Sequence, residues 1–118
     1  NYYFFNLNSE LLEFQNIKKD ITSSYWVFPV ILKIKNLKFD SKFFINELNK
    51  RNIQARHFFY PLPDQPFFKK KISKKFKINA RYIHKYGLYL PLGNGIKINE
   101  VKYVVSVFNK ILLKINKI

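Results

Sequence analysis

The sequence predicts an α+β domain: a small, mostly antiparallel sheet of about three strands covered on one face by helices. Three observations carry this expectation. Residues 24–35 alternate with the two-residue period of a strand. Val101, Val104, Val105, Phe108, Ile111, Leu112 and Ile115 recur with the 3.6-residue period of a helix. Between them, short apolar runs are punctuated by Pro, Gly and Asn. The resulting order of strand, helix, strand, two short helical pieces, strand and long helix suits a layered α+β architecture. No internal repeat is visible, and 118 residues leave room for one core.

In chain order, residues 1–20 open on Tyr2, Tyr3, Phe4 and Phe5, and Leu11, Leu12 and Phe14 suggest a short helical turn after Asn8 or Ser9. The strand from Ser24 to Lys35 puts Trp26, Phe28, Val30, Leu32 and Ile34 on one apolar face. Pro29 cannot donate to a ladder, so this strand is expected either at an edge or with its Pro29 side unpaired. Asp40 offers an N-cap for a helix from Ser41 to about Arg51 that carries Phe44, Ile45 and Leu48. Asn52 suits the left-handed residue that ends such a helix.

A strand from Ile53 to Tyr60 is expected next, stopped by Pro61, Pro63 and Pro66. A short helix follows over Asn79–Tyr86, capped by Asn79, with Ile83 inward. Leu88–Leu90 then forms a brief strand ended by Pro91, and Gly93-Asn94-Gly95 reads as a turn. For the last helix Asn99 is the expected N-cap, Glu100 complements the positive helix end, and Ile98 and Tyr103 are placed to form a staple.

Composition excludes several classes. A hydrophobic share of 47% with 19% aromatic residues supports a folded core and argues against disorder. The apolar run Trp26–Leu32 is far below the roughly 20 residues a membrane span needs, so no membrane association is expected. With no cysteine there is no disulfide framework, thiolate nucleophile or Cys-based metal site, as suits a cytoplasmic protein. The sequence has no methionine and starts at Asn1. It is therefore expected to be a piece of a longer protein, with residues 1–22 a lead-in segment from an upstream domain and 23–118 the domain that follows it.

The formal charge is +15, from 22 Lys+Arg against 7 Asp+Glu. Such a balance can mark a nucleic-acid surface. Here the lysines are spread through every segment, and there are three arginines, Arg51, Arg56 and Arg81. That distribution favours solvated surface charge, and the basic run Lys69–Lys77 reads as a solvated loop rather than a phosphate stripe. A free-standing basic α+β module that binds nucleic acid or a partner protein is the rival function.

Few residues are candidates for chemistry. His57 and His84 lack the spaced partners of a metal site, no Ser/His/Asp signature is present, and no glycine-rich phosphate loop occurs. What remains is Asn52–Pro66, N-I-Q-A-R-H-F-F-Y-P-L-P-D-Q-P, where Arg56 stands among His57, Phe58, Tyr60 and Gln65. A half-buried strand would present Arg56 as a lone guanidinium. Such a group either pairs with a carboxylate of the same sheet or binds an anionic ligand.

Three stretches together carry a resemblance: S-S-Y-W-V-F-P-V, the Asn52–Pro66 stretch, and Y-G-L-Y-L-P-L-G-N-G-I-K-I-N-E-V-K-Y-V. From about Ser23 to Ile111 the chain resembles the C-terminal part of the DegT-type PLP-dependent nucleotide-sugar aminotransferases. That resemblance implies the small domain of a fold-type-I aminotransferase, which closes a site built on a large pyridoxal 5'-phosphate-binding domain. It further implies a homodimer that transfers an amino group, usually from glutamate, to a nucleotide-linked keto sugar in polysaccharide or deoxyamino-sugar biosynthesis. The cofactor and catalytic lysine would belong to the large domain, so no catalytic residue is expected here. Substrate contacts are expected from Arg56, with Tyr60, Phe58, His57 and Gln65 beside it. Many members carry histidine where this chain has Pro63.

Overall fold

The computed structural model describes residues 2–33, 39–68 and 78–116. These residues form α1 (Tyr2–Asn6), β1 (Leu12–Phe14), β2 (Phe28–Leu32), α2 (Ser41–Asn49) and β3 (Arg56–His57). A 3-10 turn (Leu62–Asp64), α3 (Ile78–Tyr86), β4 (Gly87–Leu90) and α4 (Ile98–Asn116) complete the order. The strands make one antiparallel sheet in the order β1-β2-β4-β3. The α+β expectation holds, with one more strand than the sequence suggested. Among the described residues no helix is long and apolar enough to cross a membrane.

Strand alternation divides the sheet into two chemically different faces. Register places Val30 opposite Leu88, Phe28 opposite Leu90 and Leu12 opposite Leu32. This set packs with Phe44 and Leu48 of α2 and Phe108 and Leu112 of α4, all wholly buried, and the Phe44 and Phe108 rings lie 5.3 Å apart. The other set, Glu13, Ile31, Pro29, Tyr89 and Arg56, takes the opposite face, away from α2 and α4. Pro29 is tolerated in an inner strand because β1 partners β2 only from Leu32 to Val30. Its β1 side is unpaired, the second of the two arrangements expected.

The caps of α2 are as expected. The Asp40 carboxylate accepts from the Phe43 N–H at 3.1 Å. At the other end Asn52 is left-handed, with φ 58°, and the Ile53 N–H donates to the Leu48 carbonyl at 3.0 Å. The apolar stripe of α4 is buried as expected, Val107 included. Its cap lies earlier than Asn99, because the Glu100 carboxylate accepts from the Lys97 N–H at 2.6 Å and the helix begins at Ile98. Ile98 is therefore exposed, and Ile96 packs against the core instead. Asn79 lies inside α3 rather than capping it.

Three other expectations change. Leu12–Phe14 forms an edge strand, not a helical turn, because it finds partners in Leu32–Val30. Residues 2–14 are built into the core: Tyr3, Leu7 and Leu12 are buried, and the Tyr3 hydroxyl donates to the Pro91 carbonyl at 2.8 Å. Asn109 ties this segment to α4, accepting from the Asn8 N–H at 3.1 Å and donating to the Asn6 carbonyl at 2.8 Å.

The strand expected from Ser24 begins only at Phe28. Tyr25 adopts φ 50°, its N–H donates to the Ser23 hydroxyl at 3.1 Å, and Trp26 turns outward, 68% exposed, rather than inward. Ile34 and Lys35 lie outside the described residues. The strand expected over Ile53–Tyr60 shrinks to Arg56–His57. Its next residue, Phe58, lays its ring where a Gly87 side chain would stand, which ends the pairing. The basic run Lys69–Lys77 also lies outside the described residues.

Candidate functional site

The three arginines meet different fates. Arg51 pairs with Glu47 at 3.0 Å within α2. Arg81 of α3 makes a two-pronged pair with Asp64, at 2.6 and 2.5 Å, that pins the proline-rich turn to the helix. Arg56 is exposed and makes no ion pair with any carboxylate among the described residues. The sheet's own acid, Glu13, sits on β1 at the far edge, with β2 and β4 between it and β3. The structural use left open by the sequence, a carboxylate partner in the same sheet, is thus not the one taken.

Register places Arg56 beside Tyr89 on the face away from α2 and α4. It borders a hollow of about 360 Å³ whose lining includes Trp26, Gln54, Tyr89, Pro91 and Leu92. Arg56 also borders a second, more polar hollow lined by Asn49, Asn52 and Gln54. Phe58 stacks on Tyr89 with ring centres 4.3 Å apart, and Phe59 meets the same ring edge-on at 6.4 Å. Partial burial pushes the Tyr89 hydroxyl above its ordinary value. A fixed aromatic floor with a free guanidinium at its rim can take an anion bidentately while keeping water off one side.

His57 belongs elsewhere. Its partner in register is Leu88, so it points to the helix-covered side, where its Nδ1 lies 3.1 Å from the Ser41 hydroxyl. Ser41 is buried and donates to the His84 carbonyl at 3.3 Å, which leaves its oxygen to accept from His57 Nδ1–H. His84 Nδ1 in turn donates to the Phe58 carbonyl at 2.9 Å. The two imidazole rings are 5.9 Å apart, and Tyr60 meets His84 edge-on at 5.3 Å. Loss of water around the His57 ring, reinforced by His84, lowers its proton affinity. This network fastens β3 to α2 and α3.

The five sequence candidates therefore divide. Arg56 and Phe58 share the open face; His57 and Tyr60 gather around His84; Gln65 follows the 3-10 turn, its N–H donating to the Leu62 carbonyl at 3.2 Å. Reasoning along the chain missed Tyr89, Trp26 and Gln54. The alternation of β4, with Leu88 and Leu90 inward, already placed Tyr89 on the opposite face.

A pyridoxal phosphate site needs a sheltered lysine, an acid for the ring nitrogen and donors for the phosphate. Every described lysine is exposed and none lines the Arg56 hollow. The described residues do not fit that cofactor, and no step through it is assigned to them.

Comparison with known proteins finds similarity to a protein family and to a relative. The family described as DegT/DnrJ/EryC1/StrS aminotransferases matches residues 4–109. The uncharacterized protein MJ1066 of Methanocaldococcus jannaschii is 32% identical over 108 residues, covering 89% of this chain. The chain spans 28% of that relative's length.

Proposed function

The chain belongs to the DegT/DnrJ/EryC1/StrS aminotransferase family, and on that premise we propose that it is the C-terminal small domain of a PLP-dependent nucleotide-sugar aminotransferase. The amino donor is glutamate and the acceptor a keto sugar linked to a nucleoside diphosphate, in polysaccharide or deoxyamino-sugar biosynthesis. Pyridoxal phosphate supplies the amino-group chemistry when bound by the large domain of the same enzyme, which works as a cytoplasmic homodimer. This domain's part is to bind and orient substrate.

One observation carries the reading. Of the three arginines, Arg56 alone lacks a carboxylate among the described residues, and it borders an aromatic-floored hollow. An exposed guanidinium without a carboxylate partner beside such a wall is free to pair with a ligand that provides the anion. Both substrates carry one, a carboxylate on the donor and a pyrophosphate on the acceptor. Pro63 cannot make the contact that a histidine at that position would.

The test is Arg56→Ala in the aminotransferase that contains this domain. A charged hydrogen bond contributes about 1.5–3 kcal/mol, so KM for the sugar nucleotide or the donor rises roughly tenfold to a hundredfold, with the melting temperature unchanged. Unchanged KM for both substrates overturns the role.

A further inference from the structure

Gly93-Asn94-Gly95 forms a turn whose second glycine is required neither by the backbone nor by packing. The turn is closed by the Ile96 N–H donating to the Gly93 carbonyl, a long bond at 3.3 Å. Gly95 lies outside the left-handed region, and nothing stands within 4 Å of where its Cβ would be. Those are the two needs that ordinarily explain a glycine. All three residues are exposed, and among the described residues no hydrogen bond engages the Asn94 side chain or the Gly95 N–H. What the missing side chain leaves open is the path from the Gly95 nitrogen to the Asn94 side-chain carbonyl. Asn94 is the one asparagine followed by glycine. Asn8, followed by the small Ser9, is by contrast held: its Oδ1 accepts from the Glu10 N–H at 3.1 Å, and its N–H donates to Asn109.

We propose that Asn94-Gly95 is a site of spontaneous modification, deamidating to aspartate and isoaspartate with water as co-reactant, and that the charge gained weakens anion binding at Arg56. The Gly95 nitrogen attacks Asn94 Cγ. The new N–Cγ bond closes a cyclic succinimide, the Cγ–Nδ2 bond breaks, and ammonia leaves with the proton that Gly95 lost. Water then opens the ring. Attack at Cγ leaves aspartate; attack at the backbone carbonyl leaves isoaspartate, whose main chain runs through Cγ. Ring closure needs Asn94 to rotate about its Cα–C bond, which the long turn bond and the empty surroundings allow. Either product adds a carboxylate to a turn whose Gly93 lines the hollow that Arg56 borders. That carboxylate competes with the anion the guanidinium holds. This second half rests on the reading of Arg56 given above; the modification itself does not.

The test ages the whole aminotransferase in mildly alkaline buffer and maps its peptides by mass. Cleavage after lysine and arginine releases Tyr86–Lys97, whose single asparagine is Asn94. That peptide is expected to gain the mass difference between an amide and an acid and to split into two isomers, faster as the pH rises. The peptide carrying Asn8 lags behind it. Gly95→Ala, which the open space accommodates, largely abolishes the change. Asn94→Asp raises KM for the sugar nucleotide roughly twofold or more at low salt, the effect of one added unit charge near the site. Ageing does the same to the parent enzyme and not to Gly95→Ala.

An Asn94 that stays intact or changes no faster than Asn8, or a Gly95→Ala enzyme that deamidates like the parent, overturns the site. Full conversion with unchanged KM overturns its link to Arg56. The Arg56→Ala enzyme separates the two failures: a raised KM there keeps the anion role of Arg56, an unchanged one removes it, and the mass result decides the modification in either case.

Discussion

Replacing Gly87 by alanine probes the joint on which both the fold and the site depend. A Cβ at this position would overlap the Ile83 carbonyl oxygen and stand 2.5 and 2.7 Å from Cδ2 and Cε2 of Phe58. Neither neighbour yields easily: the carbonyl belongs to the last turns of α3, and the Phe58 ring is stacked on Tyr89 at 4.3 Å. Overpacking of this kind costs about 1–3 kcal/mol. At roughly 4 °C per kcal/mol for a domain of this size, the melting temperature falls by about 4–12 °C.

Thermal unfolding followed by circular dichroism measures it, with Phe58→Ala and the double variant completing a cycle. The ring's share of the clash disappears in the double variant and the carbonyl's share remains, so the two substitutions are not additive. A Gly87→Ala protein that melts within about 1 °C of the parent would refute the packing described around β4.

Two further outcomes follow from the core and from the histidine pair. Phe108→Ala removes a fully buried ring from between the sheet and α2, and is expected to cost about 3–5 kcal/mol in denaturant unfolding; a loss below about 1 kcal/mol would contradict the layering. His57 binds its proton less readily when folded than the ordinary histidine value of about 6.5. The unfolded chain therefore holds more protons between those two values, so stability is full above about pH 6.5 and is lost as the pH falls toward the lower folded value. Melting temperatures between pH 7.5 and 5 should show this decline, flattened in His57→Gln; an identical decline in that variant would remove His57 as its source.

What the sequence made legible were elements whose signal is local. α4 carries its apolar period over 19 residues, and α2 carries a cap residue at each end, so neither needed a partner to be recognised. β1 is three residues long, too short for any period, and exists because Leu32–Val30 offers it a ladder. β3 fails in the opposite sense: alternation runs on toward Tyr60, but pairing stops where Phe58 meets Gly87. Trp26 was misplaced for a backbone reason, since the left-handed Tyr25 breaks the period that pointed it inward.

The site was half legible. Arg56 stood out by its chemistry, while Tyr89 reaches it through strand register and Trp26 through the turned-out stretch before β2. His57 and Tyr60 were grouped with it by proximity in the chain, yet strand alternation sends His57 to the other face, where it meets Ser41. The anion partner of Arg56 is absent from the sheet for a countable reason. Four of the 7 acids are engaged locally: Glu47 with α2 cations, Asp64 with Arg81, Asp40 and Glu100 with helix N-termini.

The most direct test of the Arg56 assignment reads the guanidinium groups themselves. With three arginines, a nitrogen-15 labelled chain gives three side-chain Nε–H resonances, each assignable by substitution to lysine. Titration with inorganic pyrophosphate should shift the Arg56 resonance and leave Arg51 and Arg81 in place, held by Glu47 and Asp64. A stationary Arg56 resonance at saturating pyrophosphate, or an equal shift of all three, would contradict the claim that Arg56 is this domain's anion contact.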